Sequence, residues 1–358
     1  MLPMEIAIER LNRNGLTDNF SSIETCVQSL FGIQAQIQKF AEISLFNRCN
    51  SICSTEYLYK LYNSYKLISI WGQRNTIHMY DINDWHTICD IYHDKTYASK
   101  YMNMYYDFFE NVKEHIQHHD TKNLVSRNEV EHIINKYIPN ELKKIDWITY
   151  MVLNHFCANG IMFGIPEKPY IKNFAKCNIT NKDNWFFHED KLISSFEKIL
   201  IRYFKYYGPA TLEDFSHWSG LGMKFINIHF ENIKDKLNTH MYNNKIYYTA
   251  ENIGIKNTRK ILLLGKFDPL LVAYHDKEWI ANKKQQKKIW RTGGHVEAII
   301  LQGGTLLGTW RYLTKKDNIR IAIDQLHPLS NTIKNKIALK LEKLALFLCK
   351  HVESITYN

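Results

Sequence analysis

The chain has 358 residues, and 46 Lys or Arg against 36 Asp or Glu give it a formal net charge of +10 with histidine neutral. A composition of 45% hydrophobic and 23% charged residues is ordinary for a globular protein and excludes a disordered or collagen-like chain. No segment reaches the ~18 uncharged apolar residues of a membrane span, and the first residues lack the pattern of a signal peptide. We therefore expect a soluble, cytoplasmic protein.

The cysteines and histidines form no recognisable site in the sequence. The 7 Cys include no Cys-x-x-Cys pair, and the 16 His lack the spacing that places two ligands beside a glutamate on a zinc-binding helix. We expect a reduced protein that uses neither a metal nor another cofactor.

The positive excess indicates a partner that carries phosphates, because Lys and Arg side chains neutralise nucleic-acid backbones. A composition rich in Lys and Asn would produce the same excess without such a partner. Charge alone therefore leaves nucleic-acid binding open.

The N-terminal part of the chain predicts helices followed by a β-hairpin. Apolar residues recur at helical spacing up to Gly32, which is placed as a helix stop. Two apolar segments then flank a four-residue connection, as in a hairpin. The expected elements are helices near residues 23–31, 39–48 and 58–65 and strands at 67–71 and 76–80. This order is typical of a winged-helix module.

The same order of elements returns twice. Ser126 with Glu129 and Thr211 with Asp214 have capping-box spacing ahead of apolar helical stripes. Strands are expected at 161–165 and 245–249, so the strands recur at roughly 80 to 90 residues, which favours tandem small modules over a single sheet-centred fold. The sequence predicts four regions: winged-helix modules at 1–120, 121–188 and 189–255, and a C-terminal β-rich region with a closing helix at 256–358.

The C-terminal region differs from the modules. An apolar strand at 261–264, a hairpin that turns at Gly303-Gly304, an alternating strand at 319–323 and a helix near 333–344 are expected. Between the strands, residues 282–291 carry five cations and no helical stripe. This stretch is either a solvated loop or a phosphate contact.

Few residues suggest chemistry. The signatures of phosphate-binding loops, dinucleotide folds, nucleophile elbows and zinc hydrolases are absent from the sequence. Gln34 and Gln36 lie between apolar residues directly after the helix stop. In an extended segment their carboxamides would point the same way and hold a water molecule, since amides donate and accept hydrogen bonds but are not general bases. The alternative is that they cap the preceding helix or lie on its surface.

This segment resembles the catalytic Gln-apolar-Gln motif of the AlkZ-type (YcaQ/AlkZ-like) winged-helix DNA glycosylases. Further landmarks are similar to that family and follow its order, from about residue 5 to about residue 350 of the chain. They are Arg74 to His78, Tyr207 to Phe215, His217 to Leu221, Phe267 to Leu271 and Gly308 to Arg311. Asn75 departs from the family's usual glycine, although asparagine tolerates a positive φ.

The resemblance implies a helix-rich α+β fold of three tandem winged-helix modules with a C-terminal β-rich element, forming a concave basic channel. It implies a monofunctional, metal-free DNA glycosylase that hydrolyses the N-glycosidic bond of alkylated or bulky-adducted purines. N7-alkylguanine is the expected substrate, with interstrand crosslinks as a further one. Gln34 and Gln36 become the catalytic pair that positions water. The expected partner is double-stranded DNA, bound by a monomer without a membrane or a protein partner.

The resemblance also places DNA contacts on the first wing and in the basic stretch. The expected DNA-binding residues are Arg74, His78, Lys283, Lys284, Lys287, Lys288 and Arg291. For the first two, a phosphate contact by the arginine and a hairpin-core position for the histidine stay open.

Two other functions fit parts of the pattern. Tandem winged helices also occur in transcriptional regulators that have no enzymatic activity. A protein that sequesters a DNA-damaging natural product would use an aromatic-rich concave surface as its pocket. For a glycosylase, general repair and self-resistance in a toxin producer are both open.

Overall fold

The computed structural model describes residues 3–49, 55–118, 123–167, 170–177 and 187–358. Its helices, in chain order, are α1 (Pro3–Arg13), α2 (Ile23–Ser29), α3 (Gln38–Arg48), α4 (Thr55–Asn63), α5 (Trp85–Tyr92), α6 (Tyr106–His118), α7 (Arg127–Tyr137), α8 (Ile148–Ala158), α9 (Glu189–Tyr206), α10 (Leu212–Ser219), α11 (Met223–Phe230), α12 (Pro269–Val272), α13 (Lys283–Ile289) and α14 (Asn331–Phe347).

The strands, again in chain order, are β1 (Ile33–Gln34), β2 (Leu67–Trp71), β3 (Ile77–Asp81), β4 (Leu124–Ser126), β5 (Met162–Glu167), β6 (Tyr170–Lys176), β7 (Asn238–Tyr242), β8 (Lys245–Thr249), β9 (Ile261–Leu264), β10 (Trp290–Arg291), β11 (His295–Val296), β12 (Ala298–Gln302), β13 (Thr305–Lys315), β14 (Asn318–Gln325) and β15 (His351–Tyr357). None of the helices in these ranges combines the length and the apolarity needed to cross a membrane.

The chain forms two compact units. Unit 1 comprises Met1–Gln34, Lys39–Tyr59 and Ile199–Asn358, and unit 2 comprises Ala35–Gln38 and Lys60–Lys198. The predicted mixture of helices and β-hairpins is confirmed.

Unit 2 contains an antiparallel sheet in the strand order β3-β2-β5-β6-β4. The β2–β3 hairpin has the predicted position, with Trp71 opposite Ile77 and Ile70 opposite His78. The strand expected at 161–165 is one arm of a second hairpin, β5–β6. Helix α8 packs against β2 and buries Met151 and Phe156, because the apolar residues of both elements face each other.

The turn of the first hairpin requires left-handed backbone. Arg74 and Asn75 have φ values of 54° and 55°, a region where asparagine is enriched and glycine is unstrained. The Asn75 carboxamide oxygen also accepts a hydrogen bond from Asn154 Nδ2 at 2.8 Å. Asn75 therefore supplies the conformation that the turn needs, as its tolerance of positive φ predicted.

Unit 1 contains a five-stranded sheet in the order β15-β14-β13-β12-β9. Gly303 and Gly304 turn the β12–β13 hairpin with φ values of 55° and 83°, in agreement with the sequence. Helix α14 buries Ile337 and Leu341 in the core of this unit, which is the predicted closing helix. The sequence did not predict β15, which pairs parallel to β14 at the edge of the sheet.

Residues 199–255 of the region predicted as a third module also belong to unit 1, whereas residues 189–198 belong to unit 2. Thr211 and Asp214 form the predicted capping box of α10, each bonding the backbone N–H of the other at 3.1 Å. Beyond α11 the chain forms the β7–β8 hairpin, in which Asn243 and Asn244 turn with positive φ. Strand β7 was not predicted, because its side chains are exposed or half-buried and show no apolar alternation.

A buried ion pair organises the centre of unit 1. Arg48, at the end of α3, and Asp268, the N-cap of α12, are both 0% exposed and meet through two bonds of 2.7 and 2.8 Å. Asn14 accepts further hydrogen bonds from the same guanidinium. The bidentate geometry and the extra acceptor compensate the desolvation of both charges.

Candidate active site around Gln36

The segment that carries the two glutamines begins at a helix stop. Gly32 has a φ of 89°, and its N–H donates to the Val27 carbonyl at 2.9 Å, which closes α2. The chain continues through the two-residue strand β1, and Gln34 ends this strand with only 9% of its surface exposed.

Gln36 lies beyond the strand, in a bend that precedes α3, and its side chain is exposed. The sequence argument for parallel carboxamides assumed an extended backbone from residue 33 to residue 37. The structure ends the strand at Gln34 because the chain turns into α3. Gln34 belongs to unit 1 and Gln36 to unit 2.

The carboxamide of Gln36 is hydrogen-bonded to strand β3 of the β2–β3 hairpin. Its Oε1 accepts a hydrogen bond from the Ile77 N–H at 3.1 Å, while the Ala35 N–H donates to the Ile77 carbonyl at 2.8 Å. Because a backbone N–H can only donate, Oε1 must be the end of the amide that faces β3. The Nε2 end is thereby directed elsewhere.

Tyr150, on α8, interacts with Gln36 and Trp71. The Trp71 indole Nε1–H donates to the Tyr150 hydroxyl at 2.6 Å, and the two rings meet edge-on at 5.1 Å. Burial raises the pKa of the Tyr150 phenol, and the hydrogen bonds from Trp71 and Gln36 oppose this rise without reversing it. Tyr150 is therefore a neutral hydroxyl at physiological pH.

These residues line a cavity of about 260 Å³ in unit 2. Its polar lining comes from Gln36, Gln38, Trp71, Arg127 and Tyr150. Among the described residues, no carboxylate and no histidine contributes to this lining. The cavity therefore offers amide, hydroxyl and indole groups and one guanidinium.

Arg127 and Gln38 were not predicted as site residues. Arg127 is the first residue of α7 and is exposed, and within the described ranges no carboxylate forms an ion pair with it. Gln38 is 3% exposed and its Nε2 donates to the Tyr62 hydroxyl at 3.4 Å. The alternation of Gln34, Gln36 and Gln38 was a visible signal for the latter, whereas the sequence holds no local signal for Arg127.

Two exposed aromatic rings, Tyr97 and Trp147, lie one after the other beyond Tyr150 in a chain of ring contacts. Tyr97 packs against Tyr150 with ring centres 5.6 Å apart, and Trp147 meets Tyr97 edge-on at 5.8 Å. The exposed fractions of Tyr97 and Trp147 are 39% and 43%. Such rings are suited to stacking with nucleic-acid bases.

The two DNA contacts predicted on the β2–β3 hairpin, Arg74 and His78, differ in how far they are buried. Arg74 is half-buried at the hairpin tip, with electrostatic interactions of its own. His78 is only 3% exposed, and its Nδ1 lies 2.9 Å from the Thr76 carbonyl. Burial, followed by the charge of Arg74, lowers the pKa of His78 to about 3. The burial of His78 fits the hairpin-core position, which was one of the two alternatives that the sequence left open.

The basic stretch forms a helix, α13, where a loop was one of the expectations. Asn282 caps this helix and exchanges hydrogen bonds with Gln285 in a capping box. The side chains of Lys283, Lys284, Lys287 and Lys288 are all exposed. Their spacing places them on one side of the helix. Arg291 follows in β10 and forms an ion pair with Glu297 at 3.1 Å.

Comparison with known proteins agrees with the resemblance seen in the sequence. No curated protein sequence matches the chain significantly. The solved structure of Streptomyces sahachiroi DNA glycosylase AlkZ is similar over 99% of both chains, with a TM-score of 0.79 and 14% sequence identity, which shows a common fold. Residues 191–347 match the model of the family described as DNA glycosylase AlkZ-like, a range that does not include Gln34 or Gln36. The family match over this region and the shared fold agree with the resemblance that the sequence predicted.

Proposed function

We propose that this protein is a DNA glycosylase that hydrolyses the N-glycosidic bond of alkylated or bulky-adducted purines in double-stranded DNA, with N7-alkylguanine as the main substrate. Gln34 and Gln36 position the attacking water in this proposal. The observation that carries it is the oriented carboxamide of Gln36 at a cavity lined by Tyr150 and Trp71.

The proposed substrate follows from the weak acidity and basicity of the amide and hydroxyl groups in the cavity. Alkylation at N7 gives guanine a positive charge, so the base departs as a neutral molecule without being protonated by a strong acid. The remaining barrier can be lowered by placing water and by stabilising the developing cation on the sugar with amide and hydroxyl dipoles. The described residues of the cavity lining include no carboxylate and no histidine. Such a lining suffices for a leaving group that needs no proton from a strong acid.

The oriented carboxamide of Gln36 retains hydrogen-bonding capacity for a water molecule. Its Oε1 is occupied by the Ile77 N–H and a hydrogen bond connects the side chain with Tyr150. The carboxamide still has donor and acceptor capacity beyond these two bonds, and water needs both. Because hydrogen bonding already orients the amide, binding of the water costs little further conformational freedom of the Gln36 side chain.

The cavity size supports bulky lesions as substrates. Pockets that enclose drug-sized ligands begin at about 300 Å³, and this cavity measures about 260 Å³. A large adduct would therefore remain outside while its glycosidic bond is attacked, and the same reasoning extends the proposal to crosslinked guanines. Tyr97 and Trp147 are suited to stack against exposed bases or planar adducts.

We assign contact with the DNA backbone to α13 and to the hairpin tip. Lys283, Lys284, Lys287 and Lys288 offer four exposed ammonium groups, and Arg291 and Arg74 are further expected contacts. His78 is omitted because of its burial.

The proposed reaction is monofunctional. A strand-cleaving lyase step needs an amine nucleophile, and the Gln-x-Gln motif offers only amides. We further propose that the enzyme works as a monomer in the cytoplasm.

The test is base release from duplex DNA with a single N7-alkylguanine, compared for wild type, Gln34→Ala and Gln36→Ala. Loss of a positioned polar group that acts in the transition state reduces turnover by about 10²- to 10³-fold. We expect this loss in both variants, with duplex affinity and melting temperature close to those of wild type. Gln117→Ala is the matched control, because Gln117 is an exposed glutamine on α6.

The experiment also separates the proposal from its alternatives. Wild type that binds duplex but releases no base from small, bulky or crosslinked adducts would indicate a DNA-binding regulator. Release that persists unchanged in both glutamine variants would refute the assigned water-positioning role.

A further inference from the structure

A recess in unit 1 gathers positive charge outside the proposed active site. It has a volume of about 660 Å³ and is lined by Arg259 and Lys260 on one side and by Lys336, Lys340 and Lys343 of α14 on the other. The remaining lining residues are Leu16, Asn19, Asn47, Ile261, Leu262 and Leu339, so the described residues place no carboxylate in the recess.

The arrangement follows from helix geometry. Positions 336, 340 and 343 are separated by four and three residues, so they share one face of α14. Arg259 and Lys260 precede β9 and approach the same recess. Two elements distant in sequence therefore direct five cations to one place.

No carboxylate of the described residues neutralises the charges in the recess, although Lys340 Nζ lies 4.4 Å from the centre of the Phe46 ring. Among the described residues no carboxylate forms an ion pair with any of the five cations, and Lys260 Nζ instead donates to the Thr17 carbonyl at 2.6 Å. The neighbouring carboxylate of Asp18 is already engaged by Lys256. Burial, with the nearby charges of Lys343 and Lys260, lowers the pKa of Lys340 to about 8.

A polar group at the recess also lacks a partner. Asn47 is 3% exposed, and its Nδ2 donates to the carbonyls of Ile43 and Leu263, whereas its Oδ1 has no hydrogen-bond partner in the described part of the chain. An unused buried acceptor suits a hydroxyl or amino group of a ligand.

We propose that this recess is a binding site for nucleotide phosphates, in which the five cations contact the phosphates and the Asn47 oxygen accepts a hydrogen bond from a sugar or base. The site is separate from the Gln36 cavity, with which it shares no lining residue. The same chemistry is presented by a free nucleoside triphosphate and by a single-stranded nucleic acid. The proposal does not depend on the proposed glycosylase reaction.

The test uses ATP in the presence of EDTA and, separately, a 12-nucleotide single-stranded DNA, each titrated against the full-length protein. The variant is Lys336→Gln/Lys343→Gln, which removes two exposed charges from the recess. The control is Lys95→Gln/Lys234→Gln, which removes the same net charge from two exposed lysines paired with Asp94 and Glu231. Melting temperatures establish that all proteins are folded.

We expect wild type and control to bind ATP and the recess variant to bind it at least about tenfold more weakly, since two charge-assisted contacts are lost. For the oligonucleotide, the salt dependence of log K should become shallower by about 1.4 in the recess variant, at ~0.7 for each phosphate contact. Loss of ATP binding without a change in the oligonucleotide slope would identify a free nucleotide as the ligand. A change in both would identify a strand.

The proposal is overturned if the recess variant and wild type bind both probes equally, or if wild type binds neither probe at low salt. Base release from damaged duplex is measured on the same proteins. Release that is normal in the recess variant, alongside lost ATP binding, would show that the two sites act independently.

Discussion

The indole Nε1–H of Trp71 donates to the hydroxyl of Tyr150 at 2.6 Å, which joins the end of β2 to α8 at the residue that also bonds Gln36. Trp71 and Tyr150 are 79 positions apart in sequence. Their contact gives Gln36 a partner that the local sequence does not reveal, and it makes the orientation of the carboxamide testable through a residue outside the Gln-x-Gln motif.

The first prediction is that Tyr150→Phe lowers the turnover of base release by about 10- to 100-fold while duplex affinity is retained, because Gln36 loses a partner and water is misplaced. The substitution also leaves the Trp71 N–H without its acceptor, which costs about 1–3 kcal/mol of stability if the group stays buried. Single-turnover kinetics and duplex titration provide the measurement.

The control for this change is Tyr137→Phe, which removes a hydroxyl bonded to His115 at 3.0 Å on an exposed surface. Equal turnover in wild type and Tyr150→Phe would exclude Tyr150 as a positioning residue. A fall in duplex affinity that accounts for the whole effect would do the same.

The second prediction concerns α13. In Lys283→Gln/Lys287→Gln, duplex binding should weaken for damaged and undamaged DNA alike, because phosphate contacts carry no sequence or lesion information. The slope of log K against log salt should fall by about 1.8, at ~0.9 for each phosphate contact with duplex. The matched variant Lys95→Gln/Lys234→Gln should keep the wild-type slope. An unchanged slope for the α13 variant would show that this helix does not touch DNA.

The third prediction is a pH dependence of stability that arises from His78. Its pKa is about 3 in the folded protein against 6.5 for the free group, so the unfolded chain binds a proton between these values and the folded protein does not. Stability is thus complete above pH ~6.5 and is lost as the pH falls towards ~3, by up to about 1.4 kcal/mol per pH unit.

Replacement of His78 by Leu should remove this contribution. Urea unfolding between pH 4 and about 7 should give a shallower dependence in His78→Leu than in wild type, with the difference restricted to this window. His155, whose pKa is lowered to about 4 mainly by burial, adds a second contribution that both proteins retain. Parallel curves for the two proteins would contradict the burial of a neutral His78.

The fourth prediction is that Asp268→Asn destabilises unit 1 by about 3–5 kcal/mol, because it leaves the fully buried Arg48 guanidinium without its counter-charge. The exposed pair of Arg320 and Glu353 provides the comparison, and Glu353→Gln should cost far less stability because solvent screens this pair. Thermal or urea unfolding measures both. A loss in Asp268→Asn as small as in Glu353→Gln would mean that the ion pair contributes little.

Much of the fold was readable because the relevant signals are local. The capping boxes at Ser126 and Thr211, the glycine turn at 303–304 and the β2–β3 hairpin depend on spacing within one element and its neighbour. Strands β7 and β15 were missed because they lie at sheet edges, where exposed side chains remove the apolar alternation. The capping box of α13 was present in the sequence, but its run of lysines carries no apolar stripe.

The sequence by itself determined the charge, much of the order of helices and hairpins, the tolerance of a left-handed turn at Asn75 and the two glutamines that led to the glycosylase resemblance. Only the tertiary structure decided that His78 is buried, that Gln36 meets Tyr150 and Ile77, and that Arg259 approaches the lysines of α14. The physical reason is that propensity and capping act over a few residues, whereas burial and long-range pairing depend on which distant segments the whole chain packs together.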